Sequence, residues 1–163
     1  MLAEYIRKDP LLGKFFDVFL FEQEPACDVD ARGLYLPEVE KSDIYLGILG
    51  EQFGNADADG VSPTEREYDT ATAKGKERLI FVKKCERDPR EDRFVQKVQS
   101  DVVRKSFETA EELQLSVYAA LVRVLENKGY IRITPFDLAV DTNLTLTDVD
   151  GAKVRDYLAR ARE

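Results

Sequence analysis

Apolar residues along the chain gather in short runs that are separated by segments of helical spacing. Three runs are almost continuously apolar, β-branched or aromatic: Phe15–Phe21, Asp43–Leu49 and Arg78–Val82. A shorter run, Val102–Phe107, has the same character. Strands that are covered on both faces have this composition, and they occur in parallel sheets. The pattern therefore predicts a parallel sheet with helices on both faces.

Helix-start signals stand between these runs. Segments 62–65, 88–91 and 109–112 each place a glutamate three residues after a serine, aspartate or threonine, and the first two carry proline at the first helical position. This is the pattern of a capped helix start. We expect helices to begin at all three segments, the first of them ending near Gly75. Two more helices are predicted at Leu2–Leu12 and Leu34–Lys41.

The alternation of helices and strands predicts a doubly wound α/β domain. Such folds begin with a central strand, whereas this chain begins with a helix. Beyond residue 127, Tyr130–Ile133 is either a strand or an extended linker, and Gly151–Arg162 is predicted to be a last helix. We expect a domain at residues 1–127 and a connector with a C-terminal helix at 128–163, which is typical of a fragment of a larger protein.

Composition excludes several classes of function. The formal net charge is -8 over 163 residues, which argues against direct binding of nucleic acid or anionic lipid. The chain has no histidine, so serine–histidine and cysteine–histidine catalysis and histidine-containing zinc sites are excluded. Cys27 and Cys85 lack metal-ligand spacing. With no apolar run long enough to cross a bilayer, we expect a cytoplasmic protein.

Ligands of open α/β sheets bind at the carboxyl ends of the strands. After the second predicted strand comes the loop Gly50-Glu51-Gln52-Phe53-Gly54, whose glycines would let the backbone approach a phosphate or a sugar. The alternative is that the glycines serve a turn with positive φ. Phe21–Glu24 and the pair Lys83-Lys84 follow the neighbouring strands and are expected at the same edge.

Two glutamates open the helix after Ser62. Glu65 lies at the capping position, and that structural role explains it. Glu67 shares a helix face with Thr64 and Tyr68, and this face is expected to turn toward the sheet. A carboxylate there could act as a nucleophile or general base. The alternative is a structural glutamate tied to a neighbouring backbone group, to Arg66 or to Arg78.

Two blocks carry a family resemblance. Asp43–Gly50 reads D-I-Y-L-G-I-L-G, and Ser62–Tyr68 reads S-P-T-E-R-E-Y, followed by Ile80–Lys83. Over residues 1 to 127 the chain resembles a bacterial TIR-like domain of unknown function, and the resemblance implies a flavodoxin- or TIR-like parallel sheet with helices on both faces. That family often precedes a Schlafen-AlbA-type DNA-binding module and an ATP-binding module in transcriptional regulators. The resemblance implies that the partners are the other domains of such a regulator.

The chain departs from this family at its beginning. The family starts with a central strand and a serine-rich loop that would line the site, and this chain has neither. The sheet is then expected to close by direct pairing of the neighbouring strands, by the segment Tyr130–Ile133, or by another subunit.

The family is also similar, more distantly, to nucleoside deoxyribosyltransferases and TIR-type NAD hydrolases, which cleave N-glycosidic bonds with a glutamate on a helix. Thr64, Glu67 and Ala71 fall in register with the transferase pattern, while Pro63 and Asp69 replace two of its glycines. The resemblance makes Glu67 the candidate catalytic residue, with Thr64 and Tyr68 beside it as candidate ligand-binding residues, and a nucleotide or NAD the candidate ligand.

Three hypotheses of function follow. The first is a nucleotide-sensing or partner-binding module without turnover. The second is an N-glycosidase or transferase, in which Glu67 attacks the anomeric carbon, the loop Gly50–Gly54 holds ribose or phosphate, and Tyr45 or Phe53 stacks on the base. The third is an assembly domain that pairs with a second copy. An enzyme requires Glu67 to be open to a pocket, whereas a binding module tolerates it in packing.

Overall fold

The structure is a computed structural model that describes residues 2–20 and 31–132. The helices in these ranges are α1 (Leu2–Lys8), α2 (Leu12–Phe15), α3 (Ala31–Lys41), α4 (Pro63–Ala73), α5 (Pro89–Asp101) and α6 (Ala110–Asn127). The strands are β1 (Ile44–Leu49), β2 (Glu77–Lys83) and β3 (Arg104–Phe107).

The three strands form one parallel sheet in the order β1-β2-β3. In its register, Ile44 lies opposite Glu77, Leu49 opposite Val82, and Ile80 opposite Arg104. Parallel neighbours need a crossover connection, and α4 and α5 supply the two crossovers. The predicted α/β class with a parallel sheet is confirmed.

Each face of the sheet has its own apolar core. Tyr45 and Leu49 of β1 pack on one face with residues of α4 and α5, whereas Leu46 lies on the other face with residues of α1, α2 and α6. The first core is built around Tyr45, Leu49, Phe53, Tyr68, Ala71, Ile80, Val82, Phe94, Val95 and Val98, and the second around Ile6, Leu12, Phe81, Phe107, Val117 and Leu121. Helices therefore cover both faces, as the apolar runs predict.

The predicted helix starts are confirmed because their signals are local. The hydroxyl of Ser62 accepts a hydrogen bond from the Glu65 amide at 3.2 Å, and the carboxylate of Asp88 accepts one from the Arg90 amide at 2.7 Å. The hydroxyl of Thr109 accepts a hydrogen bond from the Glu112 amide at 3.2 Å. Each cap satisfies an amide that has no partner within the helix.

The first predicted helix, Leu2–Leu12, is broken at Asp9-Pro10. Proline has no amide hydrogen, and the Asp9 carboxylate instead accepts hydrogen bonds from the amides of Leu11 and Leu12 at 2.9 and 2.8 Å. The chain restarts there as the short helix α2.

The prediction of a first strand at Phe15–Phe21 is wrong over its described part. Phe15 ends α2, and residues 16–20 are not paired in the sheet. Burial alternates along this segment: Phe16 and Val18 are half-buried against the second core, whereas Phe15 and Phe19 are exposed. Apolar composition does not show whether a neighbouring strand is available for pairing. In the described structure, alternate side chains of this segment face the second core and the others are exposed, so the segment is not covered on both faces. Phe21 lies outside the described residues.

The remaining differences lie at the ends of elements. The strand predicted at Val102–Phe107 starts at Arg104, because α5 runs to Asp101 and Val102 is its C-cap. Tyr130–Arg132 are not in a strand, and Ile133 and the predicted helix Gly151–Arg162 lie outside the described residues. The chain divides into two compact units, Met1–Val124 and Leu125–Glu163. Because most of the second unit is outside the described residues, the predicted connector stays a prediction.

None of the helices in the described part of the chain has both the length and the apolar composition needed to cross a membrane.

Candidate functional site

Two loops meet at the carboxyl edge of the sheet. The amide of Asp88, which caps α5, donates to the carbonyl of Glu51 in the loop after β1 at 2.9 Å. The Lys83 ammonium, at the end of β2, lies 2.7 Å from the Glu51 carboxylate. This pairing lowers the pKa of Glu51, chiefly through the hydrogen bond from Lys83. The loops after β1 and β2 are thus tied together where ligands of parallel sheets bind.

The Tyr45 ring lies along β1 against the backbone of Gly47. A Cβ at residue 47 would stand 3.1 Å from Cε1 of Tyr45 and 2.9 Å from Cδ1 of Ile80, which is closer than packed carbon atoms approach. Glycine is therefore required here by close packing, and its absence of a side chain gives the ring its path between β1 and α4.

The Tyr45 hydroxyl reaches the start of α4. It lies 3.3 Å from the carbonyl oxygen of Thr64 and donates a long hydrogen bond, 3.5 Å, to Oε2 of Glu67. Burial raises the pKa of Tyr45 well above 10, and the charge of Glu67 raises it further. Tyr45 therefore stays protonated at physiological pH and acts as a donor to the Glu67 carboxylate.

The two glutamates of α4 have different surroundings. The Glu65 carboxylate lies 3.0 Å from the Lys97 ammonium of α5, and the Glu65 amide donates to the Ser62 hydroxyl, so both contacts are structural. Glu67 is half-buried beside Tyr45. The structure thus brings the predicted residues Thr64 and Glu67 together around one phenol hydroxyl.

Tyr68 lies away from Glu67, toward the amino edge of the sheet. It is only 1% exposed, and its hydroxyl donates to the Asp101 carboxylate at 3.0 Å and accepts from Arg78 at 3.0 Å. Arg78 also donates to the Thr72 hydroxyl at 2.7 Å. These contacts join α4, β2 and the end of α5, so the structure gives Tyr68 a packing role and does not place it with Glu67.

The predicted loop residues have unequal roles. Gly54 has a φ of +77°, which favours glycine, whereas Gly50 has no positive φ, and no atom of the described residues lies within 4 Å of where its Cβ would be. Phe53 is buried in the first core, and the Arg90 guanidinium lies 5.2 Å from the centre of its ring. The alternative of a turn that needs positive φ therefore applies to Gly54, and Phe53 is part of the first core instead of an open surface.

Glu91 was not singled out from the sequence as a functional residue, because its position explains it as part of the helix start. The side chain is only 4% exposed and forms no hydrogen bond with another described residue. Its spacing from Phe94, Val95 and Val98 places it on the buried face of α5, and this spacing is the signal that could have found it. Burial raises the pKa of Glu91 to about 7, and the Arg87 guanidinium opposes that shift.

Basic residues gather after β2, and each has an acidic neighbour. The pairs are Lys83–Glu51 at 2.7 Å, Lys84–Glu108 at 2.7 Å, Arg87–Asp92 at 3.8 Å and Arg90–Asp88 at 3.3 Å. Arg87 also donates to the Lys83 carbonyl, while its Nε is buried without a hydrogen-bond partner among residues 2–20 and 31–132. Among the described residues no group of histidine, cysteine, aspartate and glutamate is arranged to hold a metal ion.

Comparison with known proteins places the chain in a family. The family model described as "Domain of unknown function (DUF4062)" matches residues 4–122. The chain belongs to this family. No curated protein and no solved structure matches the chain. The expectation of a domain of unknown function is confirmed, whereas the similarity to TIR-like domains, Schlafen-AlbA regulators and nucleoside deoxyribosyltransferases stays a prediction.

The packing at Gly47 makes a first prediction for this DUF4062 domain. Gly47→Ala should lower the free energy of unfolding by about 1–3 kcal/mol, because the added methyl overpacks the space between Tyr45 and Ile80. Chemical denaturation measures the change. Gly50→Ala is the matched control and should have little effect, since none of the described residues lies within 4 Å of its Cβ position.

A double variant tests the cause. Ile80→Val removes the Cδ1 atom that the new methyl would meet, so Gly47→Ala should cost less in the Ile80→Val background than alone. Equal costs in both backgrounds would contradict this explanation.

Glu91 makes a second prediction, on pH dependence. Its folded pKa of about 7 is above the ordinary value of 4.5, so the folded protein binds the proton more tightly than the unfolded chain. Stability should therefore fall as the pH rises from about 4.5 to about 7. Glu91→Gln removes this loss and should be more stable than wild type at pH 8, by up to about 3 kcal/mol.

The measurement is the difference in unfolding free energy between wild type and Glu91→Gln across pH 4 to 8, because the other carboxyl groups cancel in that difference. A difference that does not change with pH would show that Glu91 titrates normally.

Proposed function

We propose that this chain is a nucleotide-sensing or protein-interaction module of a multidomain bacterial regulator or defence protein, and that it binds its ligand at the carboxyl edge without turnover. The observation that carries the proposal is the convergence of three segments at that edge. The Asp88 amide ties the start of α5 to Glu51, and Tyr45 ties the start of α4 to β1. Parallel sheets bind ligands at such an edge.

The surroundings of Glu67 support binding over catalysis. A nucleophilic carboxylate has to be open to the reacting carbon, whereas Glu67 is half-buried and accepts from the Tyr45 hydroxyl. Glu67 also lines neither of two open surface depressions, which have volumes of about 390 and 630 Å³. Tyr5 and Gln114 are among the lining residues of the first, and Ser100 and Val103 among those of the second.

The charge of the edge supports a ligand that bears phosphate. Residues 83–90 contain four basic residues and two acidic ones, Glu86 and Asp88, and so have a net charge of +2 in a chain whose formal net charge is -8; the basic residues are Lys83, Lys84, Arg87 and Arg90. Exposed ion pairs such as Lys83–Glu51 and Lys84–Glu108 are weak, so a phosphate can displace their carboxylates at small cost. The partners in this proposal are the other domains of the regulator, and the acidic surface argues against direct binding of nucleic acid.

A second candidate function is N-glycosidase or glycosyltransferase activity on a nucleoside, nucleotide or NAD. It is favoured by the position of Glu67 on α4 beside a hydrogen-bond donor that would orient the carboxylate. In this reaction a Glu67 oxygen bonds to the anomeric carbon as the bond to the base nitrogen breaks. The base leaves with its electron pair and takes up a proton, and water or a second base then releases the sugar.

One experiment separates the two candidates. The purified chain is incubated with NAD and a panel of nucleosides and nucleotides, with binding measured by calorimetry and free base by liquid chromatography. Under the proposal at least one nucleotide binds and no base is released. The matched variants are Glu67→Gln and Asp69→Asn, the latter an exposed carboxylate of the same helix.

Each other outcome is decisive. Base release by wild type and Asp69→Asn but not by Glu67→Gln would establish N-glycosidic chemistry and overturn the proposal of a module without turnover. If no compound of the panel binds and no base is released, the proposal that the ligand is a nucleotide is overturned.

A further inference from the structure

The two outer strands of the sheet differ in how their open edges are protected. In the described ranges β1 and β3 each pair with β2 on one side and with no strand on the other. Proteins protect such edges by short length, charge, proline or bulges, because unpaired amide and carbonyl groups template pairing with another chain. β3 has four residues and carries Arg104 and Lys105. β1 has six residues, none of them charged and none a proline.

One face of β1 carries an apolar row that the described fold covers incompletely. Ile44 and Leu46 are half-buried, and Ile48 is 42% exposed. On the opposite face, Tyr45 and Leu49 are buried in the first core. Uncharged strands of this kind are found in the interior of sheets. β1 therefore has the sequence of an interior strand in the position of an outer one.

We propose that β1 pairs antiparallel with β1 of a second copy of this chain, so that two three-stranded sheets become one continuous sheet. A two-fold interface requires a surface that is complementary to itself. With Leu46 opposite Leu46, Ile44 of each copy lies opposite Ile48 of the other, and all these side chains are on the same face. The exposed Ile48 then packs against the half-buried Ile44 of the second copy.

Charge favours the antiparallel arrangement. Before β1 stand Lys41, at the end of α3, and Asp43, directly before the strand, and Glu51 follows the strand; all three side chains are exposed, and in this register Asp43 lies opposite the uncharged Leu49 of the second copy. Antiparallel pairing brings the amino end of one copy to the carboxyl end of the other, so Lys41 and Glu51 approach at both ends. Parallel pairing would instead place lysine near lysine and glutamate near glutamate.

The absence of charge in β1 also reduces the electrostatic repulsion between two copies at the interface. Each chain has a formal net charge of -8, and like charges oppose association wherever they meet. β1 is a six-residue stretch where no like charges come together. This proposal does not depend on the ligand proposed above, since the pairing uses the backbone of β1 and the face opposite to Tyr45.

The test is the oligomeric state of the whole chain by sedimentation equilibrium, for wild type and two variants. Wild type should dimerise, and Ile48→Lys should raise the dissociation constant by about a hundredfold or more, because a charge would be buried in the joined sheet. Val103→Lys is the matched control. Val103 is 97% exposed in the connection between α5 and β3, so this variant should dimerise like wild type.

Hydrogen exchange of the wild type provides a second readout that does not depend on the variant folding. Alternate amides of β1 point away from β2, and their protection should rise with protein concentration. A monomer in which these amides exchange quickly overturns the proposal. A monomer in which they exchange slowly at every concentration also overturns it, because another segment of the same chain then covers β1. Dimerisation of folded Ile48→Lys with an unchanged dissociation constant would also overturn the proposal.

Discussion

The close packing of the Tyr45 ring on the bare backbone of Gly47 is the contact on which the carboxyl edge depends. It allows a large aromatic side chain to lie between β1 and α4 and to bring its hydroxyl to Thr64 and Glu67. The same ring fills the first core. Core packing and the orientation of the candidate carboxylate are therefore one interaction, so a change in the packing at residue 47 also moves the site.

The electrostatics of this edge follow from burial. Tyr45 is held neutral beside Glu67, and Glu91 holds its proton to a higher pH than an exposed carboxyl group because its side chain is removed from water. The basic residues after β2 are balanced by exposed carboxylates. A ligand at this edge has to exchange partners with these ion pairs, which favours an anionic group that can replace a carboxylate.

The parts of the fold that could be predicted from the sequence are those whose signals are local. The caps at Ser62 and Asp88 determine where α4 and α5 begin, and continuous apolar runs mark β1 and β2. The segment Phe15–Phe21 has the same apolar composition, but pairing needs a neighbour that composition does not reveal. In the site, helical spacing placed Glu67 on the inner face of α4, whereas its contact with Tyr45 depends on tertiary packing that no local pattern contains.

The most direct measurement is a map of backbone amide chemical shifts in the ¹⁵N-labelled chain as NAD or another nucleotide is added. The account predicts that the shifts concentrate at Gly50, Gly54 and Thr64, at the carboxyl edge. Arg78 and Asp101, at the amino edge, should stay unchanged and serve as an internal reference. Shifts that concentrate at the amino edge, or no shifts with any nucleotide, would contradict the assignment of the carboxyl edge as the ligand site.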